Sequence, residues 1–173
     1  MGATPVYLHP GSIGNVTLRN RIVRASTSET MATASGDATP HLANLYGTLA
    51  AGGVGLILTG HIYVHPRGQA SANQPGLYED SQIEPMSKVT KAVHDNGGVI
   101  FAEIGHAGSQ TMMPEVGPIA PSPTANEMYG LEPTEATSED IETVIDCFGN
   151  AARRAKEAGF DGIHIHGGNG YLI

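Results

Sequence analysis

Residues 157–166 read "EAGFDGIHIH", a small-residue turn that runs straight into a short apolar strand. The same pattern occurs twice earlier, as "AAGGVGL" at 50–56 and "DNGGVIF" at 95–101. In each, a glycine closes an amphipathic helix and a branched apolar run begins, which marks a helix-to-strand turn. "VGLILTG" (54–60) is nearly continuous in apolar residues, as a strand buried on both faces must be. "VIFAEIG" (99–105) and "FDGIHIH" (160–166) are two further strands. "RIVRAS" (21–26) supplies the first, preceded by a candidate hairpin, "GSIGNVTLRN" (11–20).

Three helical segments separate these four strands. The first has Thr39 as N-cap, Pro40 at the first helical position and Gly52-Gly53 as its stop. The second places Ile83, Met86, Val89, Thr90 and Val93 at helical spacing, with Pro85 tolerated in its first turn. The third opens on a capping box of Thr137 and Asp140 and stops at Gly159. Its apolar face is Ile141, Val144, Ile145, Phe148, Ala152 and Ala155. Strands and helices alternating through short turns predict an α/β fold of βαβ units with parallel strands. The repeated turn suits a doubly wound sheet or half of a (β/α)₈ barrel. No linker divides the chain, so one domain over residues 1–173 is expected.

Composition narrows the function classes. Nine Lys and Arg against seventeen Asp and Glu give a net charge of −8. No basic cluster stands out; Arg153, Arg154 and Lys156 read as a solvated helix face. Nucleic acid is therefore not expected as a partner, since phosphate binding needs concentrated positive charge. The apolar run Val54–Leu58 is too short to cross a bilayer. A single cysteine, Cys147, rules out an internal disulfide and sits on an apolar helix face, which reads as core. The N-terminal "MGATPVYLHPG" lacks the pattern of a secretory signal, so a cytoplasmic protein is expected.

In parallel α/β folds, functional groups collect where strands end and the following loops begin. Every strand here delivers polar residues at that end: Ser26, Thr27 and Ser28; Thr59 and His61; Glu103 and His106; His164 and His166. Alternation puts Val99, Phe101 and Glu103 on one face of the third strand and Ile100, Ala102 and Ile104 on the other. The same rule turns Ile163 and Ile165 toward covering helices and His164 and His166 inward. Glu103 is either functional or simply paired with a buried histidine, and His164 reads as a satisfied core histidine. "HGGNGY" (166–171) carries His166, Asn169 and Tyr171 among glycines that let a ligand approach the backbone, and reads as functional. His61 and His65 have a spacing that could bind metal but lack a cysteine or acidic partner, so no metal site is expected. Met112 and Met113 lie in a long loop and read equally as part of a lid or as loop filler.

"LRNRIV", "LAAGGVGLILTG", "GGVIFAEIGHAG" and "AARRAKEAGFDGIHIHGGNGYLI", in this order and spacing, resemble the old yellow enzyme family of FMN-dependent oxidoreductases. The resemblance implies the N-terminal half, about four β/α units, of a (β/α)₈ TIM barrel with an N-terminal hairpin. It implies FMN as cofactor, NADH or NADPH as reductant, and an activated alkene as substrate. The family's substrate-anchoring pair falls on His166 and Asn169, and its proton donor on Tyr171. Two donors aimed at one oxygen favour the negative charge that develops as hydride arrives, and a phenol can hand over the matching proton. Flavin contacts fall on Ser26, Thr27, Ser28, His61 and Glu103. The family usually has Gln where Glu103 stands. An ionised carboxylate only accepts hydrogen bonds, so Glu103 is expected either to keep its proton or to lower the flavin's reduction potential. Where relatives often have Arg after "HAG", Ser109 stands.

Barrels of this kind need roughly 250 residues, and residue 173 falls just past the fourth strand. The chain is thus expected to carry the substrate half of a pocket, with little or no activity alone. Two other readings stand beside it. One is a non-catalytic half-barrel that self-associates through its open edges, making a homo-oligomer of the isolated chain. The other is a small α/β protein whose His61, His106, His164 and His166 bind a metal.

Overall fold

A computed structural model describes residues 3–173. Met1 and Gly2, the first two residues of the stretch read as carrying no signal, lie outside the described residues. A two-stranded antiparallel hairpin, β1 (Gly11–Ile13) and β2 (Val16–Leu18), comes first. The strands β3 (Val23–Arg24), β4 (Leu56–Leu58), β6 (Ile100–Gly105) and β9 (Gly162–Ile165) then pair in that order, all parallel. A short strand β5 (Ile62–Tyr63) pairs β6 further along the edge that β4 occupies. The helices α1 (Pro40–Ala51), α2 (Ile83–His94) and α3 (Ser138–Glu157) connect them. This is the expected α/β arrangement, an open parallel sheet with its helices on one face.

The helix-facing core joins Leu42 and Tyr46 of α1 and Met86 and Val93 of α2 with Ile57, Ile100, Ala102 and Ile104 of the sheet. On the opposite face Leu56 and Phe101 pack on Leu18 of the hairpin, with Val16, Leu58 and Val99 around them. The predicted two faces of the third strand are both observed. The hairpin closes one end of the sheet's inner face with apolar side chains and leaves the C-terminal strand ends to polar ones.

Local signals explain the boundaries. Thr137 Oγ accepts from the Asp140 N–H, and the Asp140 carboxylate accepts in turn from the Thr137 N–H, closing the capping box that starts α3. Thr39 precedes α1 as expected but does not cap it: its hydroxyl donates to the Met31 carbonyl instead. Gly159, at φ +87°, ends α3 in the left-handed region.

Several expectations need correction. Strand one shrinks from 21–26 to two residues, since among the described residues β3 has β4 alone to pair with. Strand two breaks at Thr59–His61 into β4 and β5. At the break the Gly60 N–H donates to the Tyr46 hydroxyl, and a Cβ on Gly60 would sit 2.5 Å from the Thr27 carbonyl oxygen. The long loop after β6 holds a small parallel pair, β7 (Ile119–Ala120) and β8 (Thr134–Glu135). Arg154 is not solvated: its guanidinium lies 2.7 Å from Asp80 and reaches the Leu77 carbonyl, tying α3 to the approach to α2. Cys147 packs at the margin of the helix-facing core, as expected.

The apolar face predicted for α3 is only half covered. Val144, Ala151 and Ala155 are buried, whereas Ile141 and Ile145 remain 51% and 58% exposed. They line an open groove with Phe148, Ile165 and Leu172, and among the described residues no strand pairs with the outer edge of β9. Ile165 does turn to the helix side as predicted, yet stays 57% exposed there. Among the described residues no helix is long and apolar enough to cross a membrane.

Candidate active site

Two side-chain groups form at the C-terminal strand ends. The first follows from register: Glu103 of β6 lies directly opposite His164 of β9. Neighbours in register on one face of a parallel pair point the same way, so the carboxylate meets the imidazole at 2.6 Å. Ser26, just past β3, donates to the other carboxylate oxygen, also at 2.6 Å. The Glu103 N–H donates to Thr59 Oγ, which fixes the strand beneath it. Glu103 is 4% exposed, and both of its oxygens are engaged. His164 is not a core residue; its side chain is half exposed on the inner face while its Nδ1 faces the carboxylate.

The second group is aromatic. The His166 and Tyr171 rings lie 4.3 Å apart between centroids, tilted by 60°. His61 leans in from the β4–β5 break, edge-on to Tyr171 at 5.5 Å and to His166 at 6.1 Å. The turn carrying the cluster is fastened on both sides. The His166 N–H donates to the Ile104 carbonyl, the Tyr171 N–H to Gly168, and the Leu172 N–H to the His106 carbonyl. Asn169 occupies the left-handed position of that turn, φ +59°, which Asn tolerates better than most residues. Burial raises the Tyr171 phenol above its ordinary range, with the Tyr129 and Glu103 charges adding to it. Burial likewise pushes His61 below the usual histidine range, and neighbouring His166 pushes it further.

Thr27 and Ser28 end up exposed just past β3 and make no hydrogen bond to either group, whereas Ser26 joins the carboxylate. Gln74, in the loop after β5, escaped sequence reasoning. It is 2% exposed and its amide holds His61, yet nothing in its local sequence distinguishes it from other loop residues. The four histidines of the metal reading do not converge. His61 joins His166, His164 pairs with Glu103, and His106 stacks on His65 at 6.2 Å. Among the described residues no group of three or more His, Cys, Asp or Glu could hold an ion.

Residues 8–173 match the model of the NADH:flavin oxidoreductase / NADH oxidase family. The chain belongs to this family. An NADH oxidase of Thermoanaerobacter brockii is 40% identical over 98% of the chain, which spans 27% of that relative. The old yellow enzyme homologue of Zymomonas mobilis superposes with a TM-score of 0.86 at 32% identity, over 97% of this chain and 50% of that one. Morphinone reductase in complex with tetrahydroNAD superposes with a TM-score of 0.87 at 25% identity, over 98% of this chain and 51% of that one. The chain therefore spans about half the length of these flavin oxidoreductase structures, and its sheet is the corresponding part of their old yellow enzyme barrel.

Proposed function

We propose that residues 1–173 carry the substrate side of an FMN-dependent NAD(P)H oxidoreductase that reduces activated alkenes. The observation that carries this reading is the meeting of His166 and Tyr171 on the turn after β9, beside the Glu103–His164 pair. His166 and Asn169 would donate hydrogen bonds to the oxygen of the activating group and polarise the alkene. As charge builds on that oxygen, both donors bind it more tightly than in the ground state, which is what lowers a barrier. Tyr171 would give its phenolic proton to the α-carbon. Burial suits it to that task, because it keeps the proton on the oxygen until a carbanion forms beside it.

The residues present suit the ring of a flavin better than its phosphate. Bound FMN would supply the hydride that reaches the β-carbon. Glu103 offers an acceptor to a ring N–H, and His164 beside it offers a second polar atom on the open inner face. Ser26 joins Glu103 from the end of β3, His61 stands beside Tyr171 from the β4–β5 break, and Thr27 and Ser28 would complete the flavin contacts from the exposed chain just past Ser26. Arg24, by contrast, is committed to Glu29 and the Leu58 carbonyl and is no free phosphate ligand. The isolated chain is thus expected to hold FMN weakly and to turn over little. NADH or NADPH is the expected reductant, a reading supported by the tetrahydroNAD held by the morphinone reductase relative. Drawing on these reductants suits a cytoplasmic location.

A second reading rests on the open groove beside α3 and on the outer edges of β3 and β9, which pair with nothing among the described residues. Self-association that covers them would make a non-catalytic homo-oligomeric module. A visible absorbance titration of the purified chain with FMN tests the first reading. A shifted, saturable flavin band supports a flavin site. Its absence in both monomeric and associated fractions would leave the second reading standing.

A further inference from the structure

His61 has a feature that neither flavin contact nor core packing requires. Gln74 is buried, and its carbonyl oxygen accepts from the Ala70 N–H at 2.7 Å, which fixes which end of the amide is which. The amide nitrogen then faces His61 alone, 3.0 Å from its backbone carbonyl and 3.2 Å from its Nδ1. An NH₂ group only donates, so Nδ1 must present a lone pair. Burial and the neighbouring His166 keep the ring neutral, and its hydrogen is then on Nε2. That Nε2 makes no hydrogen bond among the described residues, yet it is not sealed off, unlike the buried and unpartnered Nε2 of His106. The ring stands edge-on to both Tyr171 and His166.

We propose that His61 is a positioning residue for Tyr171, and that Gln74 sets it by holding it in the Nε2–H form. The consequence is directional. An imidazole with a lone pair toward the cleft would draw the phenolic hydrogen onto itself. With Nε2–H there, any hydrogen bond between the two must have the Tyr171 oxygen accepting, which leaves the phenolic hydrogen for the substrate. The His61 ring also covers Tyr171, adding to the burial that keeps the phenol protonated. The catalytic consequence rests on the reading of Tyr171 as proton donor; the tautomer and the packing do not.

The test uses the whole 173-residue chain without flavin, labelled with ¹⁵N-histidine and with ¹³Cζ-tyrosine. Histidine NMR should show His61 with bare Nδ1 and protonated Nε2. Gln74→Glu, which replaces the donor with an acceptor, should move the hydrogen to Nδ1. The Tyr171 phenol, assigned by its loss in Tyr171→Phe, should titrate lower by about half a pH unit or more in His61→Ala. His61→Phe, which keeps the ring, should restore it. A protonated Nδ1 in the parent protein, or a Tyr171 titration that ignores His61→Ala, overturns the proposal. Should His61→Ala fail to fold, the Gln74→Glu tautomer decides alone. Because no readout involves flavin, a failed FMN titration would count against a flavin site in this chain while leaving this proposal standing or falling by itself.

Discussion

Glu103 shows how one side chain changes meaning with its neighbour. Read alone, a carboxylate where relatives carry an amide would repel the oxygens of a flavin ring. In the folded chain Ser26 and His164 hold both of its oxygens at 2.6 Å, so part of its charge is already answered. Glu103→Gln in FMN-saturated protein should still raise the preference for reduced over oxidised flavin, by about tenfold or ~1.4 kcal/mol. Spectroelectrochemistry of the two proteins measures this, and an unchanged potential would remove Glu103 from the flavin edge. His106 gives a prediction that needs no flavin. Burial holds its pKa down at about 4, helped by His65 and Arg67. The unfolded chain takes up that proton near the ordinary histidine value of 6.5, so between those limits the unfolded state binds more protons and stability falls as pH falls. The loss is on the order of 3 kcal/mol. His106→Leu should flatten the fall of Tm between pH 6.5 and 4, leaving the smaller slope from His61 and His65, which burial also lowers.

At the scale of elements, the signals that held were those carried by a few adjacent residues. The α3 capping box was legible because Thr137 and Asp140 satisfy each other's backbone within one turn. Thr137→Ala should cost about 1 kcal/mol, read as a lower Tm with unchanged helix content below the transition. Serine at 137 should recover most of it, and a Tm unmoved by alanine would mean that packing alone starts the helix. Elements whose extent depends on a neighbour were legible only in outline. Strand two looked continuous because its apolar run is continuous, yet the Tyr46 hydroxyl takes the Gly60 N–H out of the ladder and splits it. That break is also what tips His61 toward Tyr171. β7 and β8 have two residues each, too short for any alternation to register.

At the scale of the 173-residue chain, the groove left open among the described residues dominates the expected solution behaviour. Ile141, Ile145, Ile165 and Ile173 are each more than half exposed on one side of the sheet. A patch of this kind favours association, and the unpaired outer edge of β9 adds backbone donors and acceptors to it. Ile145→Glu should shift the chain toward monomer, measured by light scattering over a range of concentrations. An unchanged mass distribution would exonerate the groove. The parallel α/β order, the hairpin, the three helices and the two faces of the third and fourth strands all follow from local periodicity and from turn glycines. Those depend on short-range sterics and on the side-chain period of helix and strand, so the sequence by itself determined them. It also placed His166, Asn169 and Tyr171 on one turn, because they are neighbours in the chain. Tertiary structure alone decided that Glu103 meets Ser26 and His164, that Gln74 grips His61, and that His61 stands against Tyr171. Those partners are brought together by strand register and loop closure, and no local pattern in the chain encodes distances between residues so far apart in sequence.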